Sequence, residues 1–122
     1  MLTYQTFATS LMEPAEAERI YADLAVVPDR MAVEGFQDAA RRAGFTIEMT
    51  DVIGSQWREA WEENGEARTS RQLLHAARLI RCRDQLFAEV GEVPYRVELA
   101  NALWGVYQMI GKLEPRVHLL RL

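Results

Sequence analysis

Two stretches with a two-residue period bracket a segment patterned as helix. They are Leu2-Thr3-Tyr4-Gln5-Thr6-Phe7-Ala8 and Phe45-Thr46-Ile47-Glu48-Met49-Thr50-Asp51-Val52-Ile53. Such alternation marks pleated strands, and strands joined through helices restrict the chain to α/β architectures. Between them, Glu13-Pro14 sets a proline in a first helical turn, and Ala17, Ile20, Tyr21 and Leu24 follow on one helical face. Val27-Pro28-Asp29 interrupts, and Val33, Phe36 and Ala40 mark a second helix that stops at Gly44, a residue suited to a left-handed C-terminal cap. Residues 1–54 thus read as strand, helix, helix, strand, which suits a crossover connection.

The pattern then becomes helical from Ser55 to Glu114. A short helix is expected near Trp57–Glu63, and Thr69-Ser70-Arg71-Gln72 has the form of a capping box that opens a longer one. Leu73, Ala76, Ala77, Leu79 and Ile80 share an apolar side, and Arg83 and Asp84 would intrude on it, so a break with Asp84 recapping is expected there. Pro94 opens a last helix whose narrow polar stripe holds Glu98, Asn101, Gly105, Gln108 and Lys112. The rest of that helix is apolar, which requires burial on several sides. Residues 115–122, apolar in their centre on both faces, form a third strand. The expectation is one partial domain: a 1–54 unit, a 55–114 helical cap and a 115–122 final strand.

Composition narrows the function classes. With 49% hydrophobic and 26% charged residues among 122, the chain can bury a core and is not disordered or low-complexity. A net charge of -4 offers no surplus to neutralise phosphates, so nucleic acid is not an expected partner. No apolar run reaches membrane-spanning length. The lone Cys82 fits a reducing, cytoplasmic setting, and neither His75 nor His118 has a metal-ligand partner at useful spacing.

Several segments together resemble the C-terminal half of a class I S-adenosylmethionine-dependent methyltransferase. They are Tyr4-Gln5-Thr6-Phe7-Ala8-Thr9 with Glu13-Pro14, Ala43-Gly44-Phe45-Thr46-Ile47, Gly54-Ser55-Gln56-Trp57-Arg58-Glu59, Leu103-Trp104-Gly105-Val106-Tyr107-Gln108 and Val117-His118-Leu119-Leu120-Arg121. The likeness covers essentially the whole chain. It implies a partial Rossmann-like sheet of three strands, the last one antiparallel and inserted between the other two, with a large helical insert before it. It also implies a missing N-terminal half, because the family holds its cofactor by a Gly-rich turn after the first strand and an acidic residue at the end of the second. The glycines here stand at 35, 44, 54, 65, 91, 105 and 111, without even one Gly-x-Gly. S-adenosylmethionine therefore serves the intact family, and this chain alone is not expected to bind it. A first strand with nothing to cover its edge calls for a partner, either that half or a second copy in a homo-oligomer.

The resemblance places the end of the second strand at the active-site face, with the helical insert as a lid for a small-molecule substrate. Trp57 and Arg58 follow that strand, where an indole and a guanidinium suit an aromatic or acidic substrate. The competing reading is a packed tryptophan and a solvated arginine at a helix start. Trp104, Tyr107 and Gln108 are candidates to line the pocket from the last helix, against an ordinary helix packed on a sheet. No catalytic residue is assigned. His75 reads as solvent-exposed, His118 as a satisfied core imidazole and Cys82 as inert. Arg68, Arg71, Arg78, Arg81 and Arg83 read as a solvated face paired with carboxylates, and Glu62, Glu63 and Glu66 as a charged surface turn. Two other functions remain open: a non-catalytic dimeric interaction module, and a binding module with Trp57, Trp104 and Tyr107 as an aromatic cage.

Overall fold

A computed structural model describes residues 1–122. The elements are β1 (Leu2–Ala8), α1 (Pro14–Asp23), a 3-10 turn (Pro28–Met31), α2 (Val33–Arg42), β2 (Thr46–Val52), α3 (Gln56–Glu63), α4 (Arg68–Arg81), α5 (Arg83–Val90), α6 (Glu92–Met109) and β3 (Leu113–Arg121). The chain is α/β, with a three-stranded antiparallel sheet in the order β1-β3-β2. The last strand is therefore central. It begins at Leu113 rather than Pro115, because Ala8 and Thr9 extend the ladder to Leu113 and Lys112.

Local chemistry accounts for most boundaries. Pro14 opens α1 beside a reciprocal Glu13–Glu16 capping box, and Gly44 takes φ +84° as the chain leaves α2 for β2. The expected break in the long helix falls at Cys82, whose φ/ψ of -102°/24° separate α4 from α5; Asp84 lies in the first turn of α5 without capping it. Gly91 at φ +87° precedes α6, whose first turn holds Pro94. Pro115 sits in the central strand at the end of the β2 ladder, where it accepts a hydrogen bond from Ile53 N–H at 2.9 Å, an end position that tolerates its missing donor.

The core lies on both sides of the sheet. On one face Phe7, His118 and Phe36 of α2 form an aromatic cluster, with the Phe36 and His118 rings stacked at 4.5 Å. Beyond the other face Ile20, Tyr21, Met31, Ala100 and Leu113 join α1 and α6 to the end of β3. Fully burying a side chain such as Ile20 or Leu113 is worth about 1.5–3 kcal/mol. Ion pairs Arg96–Asp23 and Lys112–Glu16 fasten α6 and the turn after it to α1. A second cluster, Ala76, Leu79, Tyr95, Leu99 and Ala102, packs α4 on α6, and the Tyr95 hydroxyl donates to the Leu79 carbonyl at 3.0 Å. Leu73 and Ile80, expected on the apolar side of α4, are exposed. Gly105 leaves its expected polar stripe and is buried under α4.

Both outer strands have open edges. Bonds from Leu120 N–H to Met1 C=O and from Thr9 N–H to Lys112 C=O show that the odd residues of β1 face β3. Leu2, Tyr4, Thr6 and Ala8 therefore point their backbone groups outward, where no backbone partner meets them. The face beside that edge is also uncovered toward the start of β1. Leu2, Leu119 and Met49 lie opposite one another across the three strands, as do Tyr4, Val117 and Asp51. Leu2 is 68% exposed, Tyr4 59% and Met49 50%.

Candidate functional site

Arg58 is the most unusual side chain in the molecule. It lies in the first turns of α3, where solvation was one of its two readings, yet it is only 8% exposed. Its Nη1 donates to Gln72 Oε1 of α4 at 2.8 Å and its Nη2 to Gln108 Oε1 of α6 at 2.7 Å. No carboxylate lies within ion-pair distance, and Nε–H has no acceptor. Trp57 lies against the guanidinium, 4.4 Å from ring centroid to Cζ. Burial pulls the Arg58 pKa below its ordinary value, and Tyr4, once ionised to the phenolate, opposes that shift.

The local sequence explains how the amides reach it. Thr69 and Gln72 do not form the expected capping box. Ala67 adopts φ +53° before α4, and Glu62 of the preceding helix supplies the cap instead, accepting from Thr69 N–H at 2.8 Å and Ser70 N–H at 2.9 Å. Glu62 is thus a helix cap rather than part of a surface turn, and the Ser70 N–H leads the causes that hold its carboxyl below the ordinary value. Thr69 Oγ1 donates to the Arg58 carbonyl at 3.2 Å, which binds α4 to α3. Gln72 is left free to turn toward Arg58. It passes over Gly105, where a Cβ would overlap its carboxamide, with Oε1 2.6 Å from the Cβ position. Gln72 escaped the sequence reading because its capping role accounted for it fully, and Gly105 because a helix wheel does not show which helix crosses it.

Of the five residues singled out from sequence, Trp57, Arg58 and Gln108 come together. Trp104 and Tyr107 instead pack against the core around α1, and Tyr107 is also 5.7 Å from Lys112 Nζ. Trp57 pairs edge-on with Trp61 at 4.4 Å rather than with Trp104 or Tyr107. Trp104 lines a separate groove of about 390 Å³ with Tyr4, Val26 and Met31 beside the β1 edge. Ser55, Arg58, Glu59, Thr69 and Met109 line a cleft of about 290 Å³, whose lining includes none of the residues that hold the guanidinium.

The remaining candidates have structural settings. His118 is fully buried; its Nδ1 meets Thr50 Oγ1 at 2.9 Å, its Nε2 lacks a partner, and burial lowers its pKa, with Arg116 adding to the shift. The imidazole is thus half-satisfied rather than satisfied. His75 is not merely solvated: its Nε2 lies 2.8 Å from Glu98 Oε1 on α6. Arg68 pairs with Glu66, while Arg83 lies over the Phe87 ring; Arg71, Arg78 and Arg81 form no ion pair, so the expected pairing holds for only part of that run. No group of His, Cys, Asp and Glu side chains is arranged to hold a metal ion, and no helix is long and apolar enough to cross a membrane. No protein-family model matches the chain, and no curated protein matches it significantly.

Proposed function

We propose that this chain is the substrate-side, C-terminal part of a class I S-adenosylmethionine-dependent methyltransferase acting on a small molecule, and that it works with a cofactor-binding half seated along β1. One observation carries the reading. The outward edge of β1 and the apolar row Leu2–Leu119–Met49 beside it are uncovered together, in a sheet whose antiparallel last strand is central. Open edges of this kind are normally blocked or paired in folded proteins.

The chain's own strand-to-helix turns do not fit the cofactor. The turn after β1, Thr9–Glu13, contains no glycine, and Glu13 and Glu16 occupy the start of α1 with carboxylates. The turn after β2 has Gly54, but the Gln56 side chain fills the space beside it. Neither gives the open backbone approach that a bound nucleoside requires. In this reading the other half supplies the cofactor site, and Arg58 with its two amides orients the acceptor molecule.

Reconstitution tests the reading. The chain mixed with a polypeptide carrying the N-terminal, cofactor-binding half of such a sheet is expected to bind S-adenosylhomocysteine, and Leu2→Lys is expected to abolish the gain by charging the docking edge. Methyl transfer by the chain alone would overturn it. The same edge supports a second reading, a non-catalytic dimer paired through β1. In that case self-association would be blocked by Leu2→Lys and the added half would bind nothing.

A further inference from the structure

Two cores meet on α6 without merging. Ala100 belongs to the one shared with α1, and its neighbour Leu99 to the one shared with α4. Leu103, one turn further on, packs against both. Where the cores part, α1 on one side and the α4–α5 junction on the other wall a groove of about 490 Å³, the ordinary size of a small-molecule site. Its lining includes Phe87 and Ile80, an isoleucine left 57% exposed. The charges in the walls are unevenly satisfied. Both carboxylates of the lining, Asp23 and Glu92, turn to Arg96, at 2.5 and 3.7 Å. Arg19 on the α1 wall and Arg83 on the α5 wall form no ion pair. Arg83 is held at the groove by a residue of the same lining, its Cζ 4.9 Å from the Phe87 ring centroid.

We propose that this groove binds an aliphatic monocarboxylate, its chain against Ile80, Phe87 and Leu103 and its acid group between Arg19 and Arg83. The inference goes beyond the methyltransferase reading and does not depend on it. Two unpaired cations on facing walls repel one another, and an anion placed between them replaces that repulsion by two attractions. The charge of the lining selects a monoanion: three guanidinium groups against two carboxylates leave one positive charge to match. Arg19 and Arg83 are exposed, so solvent and salt weaken their hold on a bare anion. Affinity therefore requires the apolar part of the ligand, which covers the side chain of Ile80. An aliphatic body fits better than an aromatic one. Arg83 lies over the Phe87 ring and Tyr95 packs edge-on with it at 4.6 Å, so a stacking ligand would compete with both for that ring, and a flexible chain would not.

The test uses the five isoleucines, of which Ile20 and Ile80 line the groove while Ile47, Ile53 and Ile110 do not. Their ¹³C-labelled methyl resonances in the full chain are assigned by single valine substitutions, and octanoate, octanol and acetate are titrated in turn at fixed ionic strength. Octanoate is expected to shift Ile20 and Ile80 saturably in the millimolar range, with octanol and acetate at least about tenfold weaker. Ile110, 54% exposed against 57% for Ile80, reads adsorption to any apolar surface and is expected to stay in place. The double variant Arg19→Gln, Arg83→Gln removes two exposed charges without an ion pair, so the fold is kept, and it is expected to weaken octanoate to the level of octanol. Absence of a saturable shift at Ile80 would overturn the proposal. So would an equal shift at Ile110, equal binding of octanol or acetate, or unchanged octanoate binding in the double variant. Because no cofactor and no second half enter the titration, its result stands apart from the outcome of reconstitution.

Discussion

Gly105→Ala offers a sharp test of the Arg58 arrangement, because two effects of known size oppose each other there. Alanine in a helix interior is favoured over glycine by about 1 kcal/mol. The new methyl, however, would occupy the position of the Gln72 carboxamide. Gln72 would swing away and leave Arg58 Nη1 buried without its acceptor. Loss of a buried hydrogen bond to a charged group costs about 1.5–3 kcal/mol, so the net destabilisation should be about 0.5–2 kcal/mol. In a Gln72→Ala background the amide is already gone, and the same substitution should stabilise by about 1 kcal/mol. Urea unfolding of the four proteins of this cycle measures both signs, and the coupling between positions 72 and 105 should be about 1.5–3 kcal/mol. If Gly105→Ala stabilises the original chain as much as it stabilises the Gln72→Ala chain, Gln72 does not lie where Arg58 requires it.

Three other outcomes are expected. Glu62→Gln should lower the thermal midpoint and reduce its acid dependence. The carboxylate caps α4 with a depressed pKa, so its stabilisation is present above its ordinary value of 4.5 and is lost as pH falls through the folded pKa; an unchanged profile by circular dichroism would remove it as the cap. His118, whose folded pKa is lowered, should make stability decline as pH falls below its ordinary value of 6.5, since the unfolded chain takes up the proton first. His118→Phe should flatten urea midpoints over that window while keeping the stack on Phe36, and a persisting slope would assign it to another group. Leu2→Lys should leave the fold intact and reduce association at high concentration in sedimentation experiments, because it charges the open edge; unchanged association would place the contact elsewhere.

Much of the fold was legible because its signals are local. Pro14, the Gly44 stop, the helix break before Asp84 and the two-residue period of both early strands each act over a few neighbours, and each marks a boundary found in the structure. The buried site was legible only in part. Arg58 and Gln108 stood out beside tryptophans, but burial of Arg58 depends on amides fourteen and fifty residues away, which no local pattern joins. The capping box at Thr69–Gln72 misled for a related reason: Glu62, from the helix before, reaches the same backbone donors and frees Gln72 for other work. Trp104 and Tyr107 show the limit of reading an apolar helix, since their faces are claimed by α1, whose position depends on the whole crossover.

The central claim is that these residues carry the substrate side of a methyltransferase and leave the cofactor to another half. Calorimetric titration of S-adenosylhomocysteine into the purified chain, with its mass determined by light scattering on the same sample, tests this most directly. The account predicts no saturable heat and a mass that rises with concentration as open β1 edges find one another. Saturable binding by a monodisperse monomer would contradict it, because the chain would then hold the cofactor with turns that lack a glycine cradle and would keep its sheet edge unpaired.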